Sequence, residues 1–483
     1  MIEPMHTDGR QSDPTHSALK SAGAPASQGA RPLIVVVGGG FGGLEAAKAL
    51  GGTRADVVVI DRQNHHCFQP LLYQVATASL SPADVAWPIR GILGRWPNIS
   101  VFMAEVTGID LKRRCVRAGP IDVAYDQLVL ATGATHSYFG HDDWAPFAPG
   151  LKRIEDATDI RRRLLLAFER AEIEDSPEAR ERLMTIVIVG GGPTGVEMAG
   201  AVHELVRVAM PLDFRRIDPR KARIVLVEAG NRLLPALPET LSAYTAATLE
   251  RMGVEVRTGC TVMACDAMGV ETNGGRIESA TLVWAAGVVA SPAACWLGVE
   301  GDRAGRVKVG PDLSVAGHPE IFVVGDTAAV VQDGNPVPGV AAAAKQMGHY
   351  VGAVIKARIA GKPAPGPFHY RHQGDLATIG RKAAVAKIGK LELTGFIGWL
   401  FWSVIHIYFL IGARNRFVVA TTWLGDYLTF QRNARLITLD RSASAVRSEG
   451  TARAGAEPSG GAGLPGSEPV AEAPDGERLR SSV

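Results

Sequence analysis

One short pattern occurs twice in the sequence, about 150 residues apart, and it restricts the possible folds more than any other feature. Each copy is an apolar run, then Gly-x-Gly-x-x-Gly, then a helical pattern; the copies are Leu33–Val37 with Gly38, Gly40 and Gly43, and Thr185–Val189 with Gly190, Gly192 and Gly195. The first glycine permits a tight turn, the second lets the backbone approach a pyrophosphate, and the third lets the helix pack on the strand. Two copies predict an α/β chain with two dinucleotide-binding units. A glycine-rich turn without a ligand is the alternative at each copy.

An acidic residue comes at the end of the next predicted strand after each glycine pattern. Asp61 ends "ADVVVID", and Glu228 follows "ARIVLV". A carboxylate in this place holds the ribose hydroxyls of an adenine dinucleotide. Because Glu228 would repel a 2′-phosphate, the second site is predicted to prefer NADH to NADPH, and Arg232 nearby keeps NADPH use open.

Charge and cysteine content argue against several other functions. The chain has 51 Lys and Arg residues against 49 Asp and Glu residues, so it lacks the basic excess of a nucleic-acid-binding protein. Its five cysteines are scattered, without a C-x-x-C pair or metal-ligand spacing, and we predict neither a redox-active disulfide nor a metal site. Residues 1–30 contain no apolar core of a signal peptide, so a cytoplasmic, reducing setting is expected.

Three further stretches complete a familiar pattern. "YDQLVLATGATHSYFG" and "LVWAAGV" place a predicted strand before a glycine turn, and "EIFVVGDTAAV" places an acid after a strand. Together with the glycine patterns they resemble the two-dinucleotide-binding-domain flavoprotein superfamily over about residues 31–350. The resemblance implies that the first unit binds FAD and that the second, inserted into the first, binds NADH. It assigns FAD to Gly38, Gly40, Phe41, Gly42, Gly43, Asp61, Thr132, Gly133, Gly325, Asp326, Val340 and Ala341, and NADH to Gly190, Gly192, Thr194, Gly195, Glu197, Glu228 and Gly287.

Other segments are similar to the type II NADH dehydrogenases, the single-subunit NADH:quinone oxidoreductases. They are "HHCFQPLLYQVATASLSPADVAWPIRGIL", "GGGPTGVEMAG", "PGVAAAAKQMGHYVG", "DLATIGRKAAVA" and "GFIGWLFWSVIHIYFLIGARNR". The resemblance implies a membrane-attached FAD enzyme that moves two electrons from NADH to a membrane quinone without pumping protons, and it suggests a homodimer. A flavoprotein reductase of a soluble acceptor and a flavin redox sensor of the apoptosis-inducing-factor kind are the alternatives.

These segments divide the chain into six predicted parts. They are a disordered tail (1–30), a first part of the FAD-binding domain (31–150), the NADH-binding domain (151–295), a second part of the FAD-binding domain (296–370), a membrane-anchoring region (371–440) and a second disordered tail (441–483). The tails are predicted to be disordered because their small, polar and charged residues bury too little apolar surface to offset the entropy of ordering.

An apolar stretch near the C terminus supplies the predicted membrane contact. Leu393–Ala413 carries no charged residue and, at about 20 residues, is long enough to span a bilayer core. Gly398, Trp402 and His406 recur every four residues as a weakly polar stripe, which favours a helix lying flat in the interface. A buried core helix and a true span are the alternatives. Peripheral or monotopic attachment to the cytoplasmic face of the inner cell membrane is expected.

The resemblance also gives roles to two catalytic candidates. Glu197 would lie near the nicotinamide amide, where a buried acid would exchange protons with the quinone; the alternative is a first-turn carboxylate favoured by the helix dipole. Many family members carry two glutamines four apart in the helix after Pro338-Gly339, and this chain has Ala342 and Gln346 there. Gln346 is therefore predicted to contact the quinone headgroup, and an ordinary polar helix face is the alternative.

Overall fold

The computed structural model describes residues 31–429 and 435–437. The predicted disordered tails, 1–30 and 441–483, lie outside the described residues, so the prediction of disorder stays a prediction there. The exact limits of the four parts between them also stay predictions.

A six-stranded sheet forms the centre of the first nucleotide-binding unit. Its strands are parallel except at one edge, where Ser314–Val315 pairs antiparallel with its neighbour. In spatial order the strands are Ser314–Val315, His318–Val323, Gln127–Leu130, Leu33–Val37, Asp56–Asp61 and Ile99–Met103. Valine, isoleucine and leucine fill these strands because both faces of a parallel sheet are covered.

A second, four-stranded parallel sheet lies between the sequence segments that build the first. Its strands, in spatial order, are Val254–Arg257, Arg223–Val227, Thr185–Val189 and Thr281–Trp284. The six-stranded sheet takes strands from residues 33–130 and again from 314–323, so the second unit is inserted into the first. The predicted α/β fold with two dinucleotide-binding units is confirmed.

The fingerprint helices are the two helices that begin directly after the glycine patterns. The first fingerprint helix is Phe41–Leu50 and the second is Pro193–Glu204. The other helices of the two units are Leu72–Ala76, Ile89–Leu93, Ile154–Ile173, Pro177–Leu183, Glu239–Arg251, Ala293–Leu297 and Ala341–Ile359. Small additional sheets are built from His65–Cys67 with Ala86–Pro88; Val106–Asp110, Cys115–Ala118 and Ile121–Ala124; Ala134–His136 with Val288–Ala290; Val262–Asp266, Gly269–Thr272 and Gly275–Glu278; Val307–Lys308 with Ala328–Ala329; and Val331–Gln332 with Asn335–Pro336.

The C-terminal region begins with a three-stranded antiparallel sheet, followed by two helices. The strands are Asp375–Gly380, Ala383–Ile388 and Leu391–Thr394, and the helices are Gly395–Phe409 and Ala413–Thr429, called here the first and second C-terminal helices. The predicted uninterrupted apolar stretch is therefore divided: it starts in a strand, and its helix has 15 residues. At 1.5 Å per residue that helix is about 22 Å long, short of a core of about 30 Å. No helix among the described residues has the length and apolar character needed to cross a bilayer.

The stripe of Gly398, Trp402 and His406 faces the rest of the protein. All three residues are buried against the protein. Gly398 is held close to the sheet, because a Cβ atom there would lie 2.6 Å from the Ala384 carbonyl oxygen. The exposed face is the apolar one, formed by Phe396, Ile397, Leu400, Val404 and Tyr408, each at least half exposed. The weakly polar stripe thus faces the protein and an apolar face points outward, and the flat orientation at an interface stays a prediction.

Candidate functional site

The first glycine loop is closed by the acid predicted to hold a ribose. Gly38 has a φ of +103°, and a Cβ atom on Gly43 would lie 1.8 Å from the Gly38 carbonyl oxygen. The Gly39 N–H donates to the Asp61 carboxylate at 2.5 Å. Gly40 has open space in front of it and non-helical backbone angles just before the helix. The loop therefore leaves a cradle with an exposed backbone and a carboxylate at its edge, which fits the pyrophosphate and ribose of a dinucleotide.

The second glycine loop repeats this geometry. Gly190 has a φ of +112°, and a Cβ atom on Gly195 would lie 1.8 Å from the Gly190 carbonyl oxygen. Glu228 accepts hydrogen bonds from the N–H groups of Gly191 at 2.5 Å and Gly230 at 2.6 Å. Gly192 again faces open space. These residues fit a second dinucleotide.

Arg232 left the use of NADPH possible in the sequence analysis, but its guanidinium forms hydrogen bonds with backbone carbonyl groups. Its guanidinium donates to the carbonyl oxygens of Leu237 at 3.0 Å and Pro235 at 2.9 Å. Thr194 is the second residue of the second fingerprint helix. The segment just before Gly287, which follows the neighbouring strand, lies against Gly190. The residues predicted for NADH thus meet at the carboxyl end of the four-stranded sheet.

The residues predicted for FAD converge in the same way at the six-stranded sheet. The Gly133 N–H donates to the Thr327 hydroxyl at 2.8 Å, which joins the 132–133 turn to the turn Gly325–Thr327. Gly325 packs on Ala344, and Gly339 lies beside the Asp326 carboxylate.

The N terminus of helix Ala341–Ile359 completes this side of the site. Val340 is its N-cap residue, so the first turn, which begins at Ala341, presents backbone N–H groups that have no partner within the helix. The helix is held against the first fingerprint helix by two facing glycines, since a Cβ atom on Gly348 would lie 2.0 Å from the Gly42 carbonyl oxygen. All twelve residues predicted for FAD are thus carried by loops, a strand end and helix starts at one end of the sheet.

Glu197 is buried and is protonated near neutral pH. Its side chain lies between the second fingerprint helix, the strand Asp375–Gly380 and the first C-terminal helix, and the residue is 8% exposed. Burial raises its pKa to about 8, and the Thr378 N–H, 3.4 Å away, and the Trp402 indole favour the ionised form without offsetting that effect. The Trp402 nitrogen faces the carboxyl group with poorer geometry than a full hydrogen bond. A buried carboxylic acid with such a pKa can donate a proton at neutral pH.

Gln346 has a structural role that the sequence did not reveal. Its amide donates to the carbonyl oxygen of Arg371 and accepts from the N–H of Arg371, both at 2.9 Å. The same side chain also lines a cavity of about 380 Å³ next to Ala342, Lys345 and Phe409. The Lys345 ammonium lies 4.6 Å from the centre of the Phe409 ring. This cavity brings the candidate glutamine to the first C-terminal helix.

The residues that set the environment of Glu197 were missed by the sequence analysis. Thr378 and Trp402 lie about 180 and 200 positions further along the chain, and their contact with Glu197 follows from how the C-terminal region folds back. The spacing of Trp402 and His406 did not reveal this contact, because a buried core helix was only an alternative for the apolar stretch as a whole. Thr327 was missed too, although it directly follows the predicted Gly325-Asp326.

Comparison with protein families agrees with this architecture. Residues 32–348 match the family described as pyridine nucleotide-disulphide oxidoreductase, and residues 372–433 match the NDH2 C-terminal domain. The chain is 44% identical to the type II NADH:quinone oxidoreductase Ndh of Mycobacterium tuberculosis, over 89% of this chain and 96% of that protein. It is 45% identical to NdhA of the same organism, over 86% of this chain and 92% of that protein.

Solved structures show the same fold at lower identity. The structure of NDH2 from Plasmodium falciparum in complex with NADH aligns with a TM-score of 0.76 at 20% identity, covering 85% of this chain and all of that one. The sulfide:quinone oxidoreductase of Aquifex aeolicus aligns with a TM-score of 0.63 at 17% identity, covering 80% of this chain and 92% of that one. By its family matches and its curated relatives, the chain belongs to the pyridine nucleotide-disulphide oxidoreductase family and, within it, to the type II NADH:quinone oxidoreductases.

Proposed function

We propose that the protein is a membrane-attached, FAD-dependent enzyme that transfers two electrons from NADH to a membrane quinone without pumping protons. The observation that carries this proposal is the pair of glycine loops, each braced by its own carboxylate, in a chain that continues into an NDH2 C-terminal domain. One loop serves the resident cofactor and the other serves the electron donor.

The first site would hold FAD through the residues around the first glycine loop. Gly38 to Gly43 would receive the pyrophosphate, Asp61 the adenosine ribose, and Asp326 the ribityl chain, with the start of helix Ala341–Ile359 at the flavin ring. When bound, FAD supplies an acceptor for hydride and a donor of two electrons. The protein contributes the fixed backbone N–H groups of that helix start, which favour negative charge nearby.

The second site would bind NADH in preference to NADPH. Glu228 would accept hydrogen bonds from the ribose 2′-hydroxyl, and its charge would repel a 2′-phosphate. Arg232 donates to backbone carbonyls and so does not neutralise that charge directly. Glu197, two residues after the loop's third glycine, would lie beside the nicotinamide and hold a proton for the quinone.

The quinone headgroup would reach the protein by way of the cavity beside Gln346. Ala342, Lys345 and Gln346 line it from one helix, and Phe409 lines it from the first C-terminal helix. We retain Gln346 as the proposed headgroup contact. Because its amide also holds the backbone of Arg371, a test of this role has to separate quinone binding from local stability.

Attachment to the membrane would use the exposed face of the first C-terminal helix. Phe396, Ile397, Leu400, Val404 and Tyr408 form a continuous apolar stripe at helical spacing, with exposures between 50% and 67%. Such a face enters the headgroup region of a bilayer without crossing it. Peripheral or monotopic attachment to the cytoplasmic face of the inner membrane, and a homodimer, complete the proposal.

The decisive experiment follows the flavin absorbance under exclusion of oxygen. Purified protein in detergent is mixed with NADH and then with a short-chain quinone. Rapid bleaching by NADH followed by rapid recovery with quinone is the expected result. Bleaching without quinone-driven recovery would move the proposal to a soluble acceptor or a redox sensor, and absence of flavin from the purified protein would overturn it.

The membrane part of the proposal needs its own variants. Replacing Ile397, Leu400 and Val404 together by serine should shift the protein from the membrane to the soluble fraction, because it removes the centre of the exposed stripe. Replacing the exposed Leu212 and Met263, which lie far from that helix in sequence, serves as the control. Membrane retention by the triple variant would place the anchor elsewhere.

A further inference from the structure

A second cavity extends from Glu197 toward the protein surface, on the side of the second fingerprint helix. Its volume is about 350 Å³. It is bounded by that helix, the helix Leu72–Ala76, the turn between strands Asp375–Gly380 and Ala383–Ile388, and both C-terminal helices. Its polar lining includes Glu197, Glu204, Gln74, Ser79 and Lys382. Trp399, Trp402 and Trp423 line it too, and the polar groups among these rings supply the hydrogen-bond partners that water in a cavity requires.

Two carboxyl groups lie along one wall of this cavity. Glu197 and Glu204 are seven residues apart in one helix, so they share a face and are separated by about 10 Å along the axis. Ala201, whose side chain is one methyl group, lies between them on the same face and also lines the cavity. The wall between the two acids therefore leaves space for water.

The two ends of the cavity differ in their access to solvent. Glu197 and Trp402 are buried at one end. At the other end Glu204 is half-buried, Val208 is 44% exposed and Lys382 is exposed. Glu204 accepts a hydrogen bond from the Arg381 N–H, which fixes its carboxyl group at the mouth. His203, the imidazole at this end, has a pKa lowered to about 4 by burial, and it is uncharged at neutral pH.

Reduction of a quinone requires one proton from the solvent in each cycle. NADH, a quinone and one proton give NAD⁺ and a quinol: hydride brings two electrons and one of the two protons, and the second proton must be supplied. Under the proposed function Glu197 gives this second proton. Because its surroundings disfavour a charge, the group must then be reprotonated from water before the next turnover.

We propose that the cavity is a proton inlet, in which Glu204 passes protons from the solvent through cavity water to Glu197. The inlet rests on the proposed function of Glu197 as the acid for the quinone. Glu204 takes a proton from bulk water and releases one to the water inside, so it ends each cycle unchanged. Glu197 receives that proton and gives its own to the reduced quinone, so the balance of the reaction is kept. Glu204 is thereby a proton-relay residue for the proposed reaction.

The first test needs neither NADH nor quinone. The carbonyl stretch of protonated Glu197 is followed by infrared spectroscopy after transfer of the resting holoenzyme into D₂O, and the Glu197→Gln variant identifies the band by its loss. In Glu204→Gln, which keeps an oxygen for the Arg381 N–H, the exchange of this band should slow by about tenfold or more, the effect expected when a positioned proton carrier is removed. An unchanged exchange rate would overturn the inlet.

Two further variants separate the inlet from local damage. Ala201→Leu fills the cavity without removing an acid and should slow the exchange in the same way, whereas Glu250→Gln removes an exposed acid that does not line the cavity and should not. Glu204→Asp should restore much of the lost rate. If Ala201→Leu exchanges at the wild-type rate, the route does not run through this cavity.

A second test separates failure of the inlet from failure of the proposed function. In stopped-flow measurements Glu204→Gln should leave reduction of the flavin by NADH unchanged, and should slow repeated turnover with quinone and raise its solvent isotope effect. If Glu197→Gln turns over quinone like the wild type, the proposed role of Glu197 fails, whatever the exchange shows. If Glu197→Gln is slow and Glu204→Gln is normal in both tests, the inlet alone fails.

Discussion

Two glutamates occupy the same position in the two glycine patterns and have opposite surroundings. Glu45 and Glu197 each follow the third glycine by two residues. Glu45 is half-buried, accepts a hydrogen bond from the Lys48 ammonium at 3.0 Å and lines the same cavity as Gln346. Glu197 is buried among a backbone N–H and apolar rings, and its pKa is raised to about 8. One motif thus carries a salt bridge in the first unit and a buried acid with a raised pKa in the second.

The packing partner of each fingerprint helix explains the difference. The first fingerprint helix packs against helix Ala341–Ile359 through Gly42 and Gly348, which leaves Glu45 on an open side. The second packs against the strand Asp375–Gly380 so closely that a Cβ atom on Gly200 would lie 1.7 Å from a strand carbonyl oxygen. That strand and the first C-terminal helix cover Glu197. The motif determines the position of the acid in the helix. The C-terminal region, which is remote in sequence, determines how deeply the acid is buried and therefore its pKa.

The largest expected effect comes from removing the two acids in turn. Glu197→Gln should slow reoxidation of the flavin by quinone by about 100-fold, the lower range for loss of a general acid, and leave reduction by NADH less affected. Glu45→Gln should change either step by less than about twofold, because a paired surface acid has no comparable role. Rapid mixing resolves both half-reactions. Equal effects of the two substitutions would mean that Glu45 and Glu197 do not differ in their roles.

The next effect concerns the two acids that brace the glycine loops. Glu228→Ala should raise the KM for NADH by about 10- to 100-fold, since hydrogen bonds to a charged group contribute about 1.5–3 kcal/mol. The same variant should keep its full complement of flavin. Asp61→Ala should show the reverse, with less bound flavin in the purified protein and no direct effect on NADH in the molecules that retain it. Absorbance ratios and steady-state kinetics measure the two quantities, and a loss of flavin in Glu228→Ala would mean that the sites are assigned wrongly.

The sequence predicted the nucleotide-binding units well because their signal is local. The strands Leu33–Val37 and Thr185–Val189 are found at the predicted residues, and Asp61 and Glu228 lie against the loops as the motif requires. Each of these features depends on about 40 consecutive residues, in which strand, turn and helix constrain one another. Glycines at fixed spacing allow few other conformations.

The C-terminal region was predicted less well because its structure depends on distant contacts. An apolar run shows that a segment avoids water, but it does not show which face meets protein and which meets lipid. Trp402 is buried beside Glu197 and Gln74, and His406 is buried against Phe68 and Trp402. No spacing within the helix encodes these contacts. The two hydrogen bonds between the Gln346 side chain and the Arg371 backbone are equally invisible in the sequence, because they join segments 25 residues apart and any residue at position 371 offers the same backbone atoms.

A smaller effect concerns the way in which Glu197 makes the stability of the protein depend on pH. The pKa of Glu197 rises from an ordinary 4.5 to about 8 on folding, so between these pH values the unfolded chain loses a proton that the folded chain keeps. The contribution of Glu197 to the free energy of unfolding should therefore fall by about 1.4 kcal/mol for each pH unit across this window, which the difference between the wild type and Glu197→Gln isolates. Stability from this group is fully present below about pH 4.5 and is lost as the pH rises through about 8.

Replacing the acid by an amide should cancel that dependence. Relative to the wild type, Glu197→Gln should gain stability steadily as the pH is raised through the window. Urea midpoints measured for the two proteins at several pH values provide the comparison. A parallel pH dependence in the wild type and Glu197→Gln would show that Glu197 ionises in the folded protein.

The smallest expected effect concerns Glu45 and its salt bridge with Lys48. Lys48→Ala removes the ammonium group 3.0 Å from Glu45, an interaction between residues three apart on a helix whose side chains are about one quarter exposed. Because such pairs contribute about 0.2–0.5 kcal/mol, the urea midpoint should move only slightly, and more at low salt than at high salt. The flavin content should stay the same. A loss above about 1 kcal/mol would mean that Glu45 depends on its cation as a buried acid does, and the two fingerprint helices would then differ less than their packing indicates.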